Sequence, residues 1–154
     1  MISQICLLLH NIRSAHNVGS IFRTAEATGV SKIYLSGYTP APMDRFGRMR
    51  KDITKVSLGA EKDVEWETVG DIRELIKNFK KVKIVAVEQD KRSISYKDIK
   101  LDNNILLIFG NEVDGIEKEI LDLCDQIIEI PMHGKKESLN VSVATGIILY
   151  SLLK

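Results

Sequence analysis

Ile105-Leu-Leu-Ile-Phe109 runs without a break into Gly110-Asn-Glu112-Val-Asp-Gly115. A short, wholly apolar, β-rich stretch delivered straight into a polar turn is the mark of a strand buried on both faces, the kind a parallel sheet uses. Other segments share the pattern. Ile2 to Leu9 is mostly apolar and ends at the polar loop Asn11-Ile-Arg13-Ser-Ala-His16-Asn17. Lys32-Ile-Tyr-Leu35 and Lys83-Ile-Val-Ala-Val87 are further strands, and Ile127 to Ile130 is one stopped by Pro131. Helical spacing fills the gaps. Val18 to Thr28 puts Ile21, Phe22 and Ala25 on an apolar side, with Asn17 as N-cap and Gly29 as C-terminal stop. Asp71-Ile-Arg-Glu74 has the form of a capping box and opens a helix whose Ile72, Leu75, Ile76 and Phe79 share one face. Ile116 to Cys124 reads as a short helix. Strands alternating with helices predict an α/β fold, a mostly parallel sheet flanked by helices, with ligands beyond the carboxyl ends of the strands.

The last helix is of a different kind. Between Asn140 and Leu153, the residues Val141, Val143, Ala144, Ile147, Ile148, Leu149 and Leu152 leave little polar face, so something must cover it. That cover is either the protein's own sheet or a partner.

At 154 residues and 44% hydrophobic content, the chain fits a single domain, 1–154, with a sizeable core. Lys plus Arg number 22 against 21 Asp plus Glu, so the net charge of +1 exerts no global pull on nucleic acid. Any contact with nucleic acid would need a local patch. Cys6 and Cys124 sit in apolar surroundings and read as core residues, consistent with a reducing cytoplasm. The run Ile5-Cys-Leu-Leu-Leu9 is too short to span a membrane and has no flanking cleavage signal. No G-x-G-x-x-G follows a strand, no Walker A sequence occurs, and His10, His16 and His133 lack zinc-ligand spacing, which argues against a dinucleotide, ATP or a metal.

Three segments bear polar chemistry next to apolar strands. Around the first strand end lie Arg13, Asn17 and Arg23; singly these are a loop cation, a cap and a solvated helix arginine. Gly110 lets a ligand approach the backbone, and Glu112 either caps the turn or serves a site. Ser138 and Asn140 are alternative N-caps of the last helix. The long irregular stretch from Gly37 to Lys55 holds Arg45, Arg48, Arg50, Lys51 and Lys55 against Asp44 and Asp52, with Phe46 among them. A solvated loop is its plain reading, but flexible cations with an aromatic also suit a phosphate backbone.

Taken together and in order, Asn17-Val-Gly-Ser-Ile-Phe-Arg23-Thr-Ala25, Phe109-Gly-Asn-Glu112 and Ile130-Pro-Met with Ser138-Leu-Asn140-Val-Ser-Val-Ala144 resemble the three motifs of the SpoU family of RNA 2′-O-ribose methyltransferases. The resemblance runs through nearly the whole chain. It implies S-adenosylmethionine as cofactor, a trefoil knot made by the last two motif loops, and a homodimer in which the motif-one arginine reaches the partner's cofactor. Carried over residue by residue, it makes Arg23, Asn17, Glu112, Ser138 and Asn140 catalytic. Val87, Gly110, Ile130, Met132, Ser138 and Leu139 would hold the cofactor, and Arg13 with the cationic loop would contact RNA. With no separate RNA-binding domain in the sequence, substrate docking falls to the core, which favours tRNA over rRNA. A non-catalytic RNA-binding or assembly protein of the same fold would show damaged motifs, and a base methyltransferase using the same cofactor is the other rival.

Overall fold

A computed structural model of the chain describes residues 4–101 and 104–153, so the start of the first predicted strand at Ile2 lies outside the described residues. Among these, the strands are β1 (Ile5–His10), β2 (Lys32–Ser36), β3 (Glu65–Val69), β4 (Val82–Val87), β5 (Ile94–Ser95), β6 (Asn104–Phe109) and β7 (Gln126–Glu129). They form one sheet in the order β3-β2-β1-β6-β4-β7-β5, and every neighbouring pair is parallel. The helices are α1 (Ala15–Ala27), α2 (Lys51–Ser57), α3 (Ala60–Asp63), α4 (Ile72–Asn78), α5 (Lys118–Leu121) and α6 (Val141–Leu152).

Alternation along the strands divides the core into two layers, as the two-residue repeat of a strand requires. Leu7 and Leu9 of β1, with Leu107 and Phe109 of β6, face Val18, Ile21, Phe22 and Ala25 of α1 and Ile148 and Leu149 of α6. Cys6 and Leu8, with Leu106 and Ile108, face Ile72 of α4 and Ile120 and Leu121 of α5. Leu7, Leu8 and Leu9 are all fully buried, which is why β1 has no polar alternation to show. Gly19 lets α2 lie tight against α1: a Cβ there would stand 2.7 Å from the Ile53 carbonyl oxygen and 2.9 Å from Val56 Cβ.

Several elements differ from the sequence expectation. The N-cap of α1 is Ser14, whose hydroxyl accepts the Asn17 N–H at 3.1 Å, so Asn17 lies inside the first turn and its amide is released for other partners. The stretch expected to be irregular to residue 55 becomes helical at Lys51, after a turn in which Asp44 accepts the Phe46 and Arg48 N–H groups. Lys51 and Lys55 therefore ride on α2 and not on a loop. The short α5 does not reach from Ile116 to Cys124; the Ile116 N–H is taken by the Glu88 carboxylate at 3.0 Å, which holds that residue in the preceding loop. Strand β3 has a half-exposed pattern with two glutamates, and β5 has two residues; neither carries an apolar run. In α6, Val141, Ile148 and Leu149 are covered by the protein itself, while Val143 and Tyr150 remain exposed. Both cysteines are free, and burial pushes both thiols up, Cys124 to about 12, so neither is a ready nucleophile.

Candidate functional site

The carboxyl ends of β4, β6 and β7 open into a cleft of about 290 Å³, near the lower bound of roughly 300 Å³ for small-molecule sites. Val87, Gly110, Ile130, Met132, Ser138 and Leu139 all line it, so the six residues assigned from sequence to a cofactor come together in one place. Glu112 borders the same cleft. Its walls are apolar at Val87, Phe109, Ile130, Leu139 and Val141, and its acidic lining comes from Glu88, Glu112, Glu129 and Glu137.

The loop after β6 is shaped by its small residues. A Cβ on Gly110 would stand 2.7 Å from the Gly115 carbonyl oxygen, so only glycine lets the loop close on itself. Asn111 then caps the turn from within: its Oδ1 accepts the Val113 and Asp114 N–H groups, each at 2.8 Å. Its Nδ2 donates to the Asn11 carbonyl at 3.0 Å and to the Tyr38 hydroxyl at 2.7 Å.

Two residues that the sequence reading missed hold both cleft loops. Besides binding the Ile116 N–H, Glu88 sits where a Cβ on Gly115 would have to go. The Gln89 side-chain amide donates to the Glu137 carbonyl at 2.6 Å, reaching the loop after β7. That loop makes little use of its own backbone. Among the described residues, the main-chain N–H groups from Met132 to Leu139 find no acceptor within the chain, and the segment is largely exposed. Unpaired donors beside apolar walls suit a ligand with a heteroaromatic base held by main-chain hydrogen bonds.

At the rim, three of the five residues assigned to catalysis form one chain of hydrogen bonds. The Asn17 amide, buried in α1, donates to Glu112 Oε1 at 3.3 Å, and its oxygen accepts from Asn140 Nδ2 at 3.1 Å. Asn140 is also the N-cap of α6, accepting the Ser142 and Val143 N–H groups. The Arg13 N–H donates to the other oxygen of Glu112 at 3.2 Å. Desolvation of Glu112 favours its neutral form, but its own N–H, the Arg13 N–H and the Asn17 amide outweigh this and hold the carboxyl below its ordinary range. Ser138 lines the cleft, and its hydroxyl has no partner among the described residues. Arg23 is not among the residues that line the cleft: it is exposed on α1, and its side chain makes no ion pair or hydrogen bond among the described residues.

A second cluster braces the rim from below. The buried His10 ring meets Ser36 Oγ through Nδ1 at 2.8 Å and the Glu117 carboxylate through Nε2 at 3.0 Å, tying the ends of β1 and β2 to the start of α5. The cationic segment is less free than its composition suggests. Arg48 pairs with Asp44 and Arg50 with Asp52, leaving Arg45, Lys51 and Lys55 without an acidic partner among the described residues. Phe46 stands exposed between two guanidinium groups, 4.8 Å from that of Arg45 and 5.1 Å from that of Arg48. Among the described residues, no group of three His, Cys, Asp or Glu side chains is placed to hold a metal.

Residues 4–150 match the model of the SpoU rRNA Methylase family. The chain is 37% identical over 142 residues to the tRNA (guanosine(18)-2′-O)-methyltransferase of Aquifex aeolicus, covering 91% of this chain and 64% of that protein. It is 31% identical over 147 residues to the 23S rRNA (guanosine-2′-O-)-methyltransferase RlmB of Neisseria meningitidis, covering 94% of this chain and 56% of that one. Among solved structures, an AdoMet-bound rRNA methyltransferase from Sinorhizobium meliloti superposes with a TM-score of 0.88 at 27% identity, over 100% of this chain and 59% of the other. The chain thus spans roughly three fifths of the length of the relatives it matches.

The rim geometry makes a prediction about Glu112. Because its folded-state pKa is depressed, its ionised form contributes stability above the unfolded value, and that contribution is lost as pH falls through the folded value. Asn17→Ala removes one donor, so the Glu112 midpoint should rise toward the usual ~4.3 of a free glutamate. A carbon NMR titration of the Glu112 side-chain carboxyl in both proteins measures this. An unchanged midpoint would show that Asn17 contributes nothing to holding the charge.

Proposed function

Given that this chain belongs to the SpoU rRNA methylase family, we propose that it transfers a methyl group from S-adenosylmethionine to a ribose 2′-hydroxyl of RNA, with tRNA favoured over rRNA. One observation carries the reading: Asn17, Glu112 and Asn140, from three separate segments, are hydrogen-bonded at the rim of a cleft that has apolar walls and an acidic lining, and whose loop after β7 offers free main-chain donors. Among the relatives named above, the tRNA-modifying protein has the higher identity, which supports tRNA. In this reading residues 1–154 form one cytoplasmic methyltransferase domain. Among the described residues, no helix is long and apolar enough to cross a membrane.

The cleft residues fit the cofactor. Val87, Ile130 and Leu139 give the adenosine part apolar walls, the Met132–Leu139 main chain gives it donors, and the glutamate lining favours a positively charged sulfonium. When bound, S-adenosylmethionine would supply the electrophilic methyl group and, as a neutral thioether, the leaving group. The protein's share is to position that hydroxyl and stabilise the charge its oxygen develops. A guanidinium stays protonated in proteins, so Arg23 acts as an electrostatic stabiliser of the developing alkoxide and not as a base. The proton leaves to an RNA phosphate. Asn17 and Glu112 orient the ribose and the arginine, and Ser138 and Asn140 fix the loop that closes the cleft.

Arg23 does not line its own cleft, and the family resemblance places the motif-one arginine at the partner's cofactor; in this reading the active unit is a homodimer in which the partner subunit's Arg23 completes the site. The support is its unpaired, exposed position on α1, next to α6, whose Val143 and Tyr150 are 50% and 58% exposed. The same reading expects the loops after β6 and β7 to form a trefoil knot. Its support is the strand order, in which β6 inserts between β1 and β4 while β7 returns to the far side of β4.

Two measurements test the reading. Arg23→Ala should lower kcat by about 100-fold or more, the usual scale for losing a transition-state donor, while unfolding temperature and dimer mass stay unchanged; wild-type turnover with saturating RNA would refute the role. For the acceptor, RNA is methylated with labelled cofactor, the product nucleotide is located, and the substrate is resynthesised with a 2′-deoxy residue there. No label should enter the deoxy substrate. Continued methylation, or label on the free base, would replace the ribose assignment with a base methyltransferase.

A further inference from the structure

Tyr38 stands 53% exposed on the loop after β2, yet its backbone is anchored and its ring is held at the hydroxyl. Its backbone N–H donates to Asn11 Oδ1 at 3.2 Å, its hydroxyl accepts from Asn111 Nδ2 at 2.7 Å, and the Arg13 guanidinium lies 6.0 Å from its ring centroid. The turn that presents the ring depends on Gly37, which has φ +63° and whose missing Cβ leaves the space that Asn11 Oδ1 occupies. Asn11 itself adopts φ 55°, a conformation that costs energy for a non-glycine residue. The residues that pin the ring also build the rim. Asn111 is buried and adjoins Glu112, and the Arg13 N–H donates to the Glu112 carboxylate.

An unneeded surface tyrosine has no reason to be held rigid, since immobilising a side chain costs rotamer entropy. A rigid, exposed ring beside a guanidinium has the form of a platform for another flat group. Unpaired RNA bases are recognised in this way, by stacking on aromatic rings and guanidinium planes. We propose that Tyr38 and Arg13 form a stacking subsite for an unpaired nucleobase of the RNA, next to the ribose addressed by Glu112. The inference rests on the RNA methyltransferase reading above. The base is that of the RNA and not of the cofactor, because Tyr38 does not line the cleft to which the adenosine is assigned.

Two experiments on the full chain test it. Ultraviolet crosslinking of labelled total tRNA and rRNA to the wild-type protein, followed by peptide mapping, should place a nucleotide adduct on Tyr38. In steady-state assays with whichever RNA accepts methyl, Tyr38→Ala should raise the KM for RNA by about tenfold, within the range for losing one base–aromatic stack, with little change in kcat. Tyr38→Trp, which keeps a stacking face but lacks the hydroxyl that accepts from Asn111, should recover part of the lost KM, and calorimetry should find S-adenosylmethionine affinity unchanged in both variants. An adduct confined to other residues, or an unchanged KM for RNA in Tyr38→Ala, overturns the subsite. So does a fall in cofactor affinity with RNA affinity intact, which gives the ring to the cofactor. A Tyr38 adduct in a protein that binds the cofactor but methylates no RNA would overturn the proposed reaction and leave the stacking subsite standing.

Discussion

The buried amide of Asn17 is the joint on which the site depends. A polar side chain removed from water must find partners or destabilise the fold, and the partners of this one lie 95 and 123 residues away, in Glu112 and Asn140. Satisfying it forces three loops to one end of the sheet. The parallel topology makes this possible by delivering β1, β6, β4 and β7 with their carboxyl ends on the same side. Because Ser14 takes over the capping of α1, the Asn17 side chain is available for the task.

Around that joint the loops are held unequally. The loop after β6 is closed by its own residues, through Asn111 and the Gly110–Gly115 approach, and is anchored further by Glu88. The loop after β7 is tethered from outside by Gln89 at the Glu137 carbonyl, and its end is fixed by Asn140, which caps α6 and binds Asn17. A segment with few internal hydrogen bonds and exposed backbone belongs to the low-stability end of a protein. Its order is therefore the part of the structure most open to change when a ligand takes up its free donors. One loop is a preformed wall, and the other is held at its tether and its end.

Much of this was legible in the sequence, for identifiable reasons. Fully buried strands such as Ile105–Phe109 leave an uninterrupted apolar run, and α4 shows its periodicity and its Asp71 cap plainly. The family resemblance named Val87, Gly110, Ile130, Met132, Ser138 and Leu139, which line one cleft. What stayed hidden depends on long-range contact. Glu88, Gln89 and Tyr38 look like ordinary polar or loop residues until partners 28, 48 and 73 positions away arrive. Strand β3 is half exposed at the sheet edge, so it carries no buried run to read. The preference for Ser14 over Asn17 as cap turns on which side chain the core recruits, which local propensity does not encode.

The central claim is that the loops after β6 and β7 form one cradle for S-adenosylmethionine. Hydrogen exchange followed by mass spectrometry, with and without saturating S-adenosylmethionine, tests it directly. The account predicts slowed exchange in residues 110–116 and 130–140 together, larger in the second loop because its main-chain donors are unpaired, with the cationic segment at residues 44–55 unchanged. Protection of only one loop, or protection centred outside both, would contradict it.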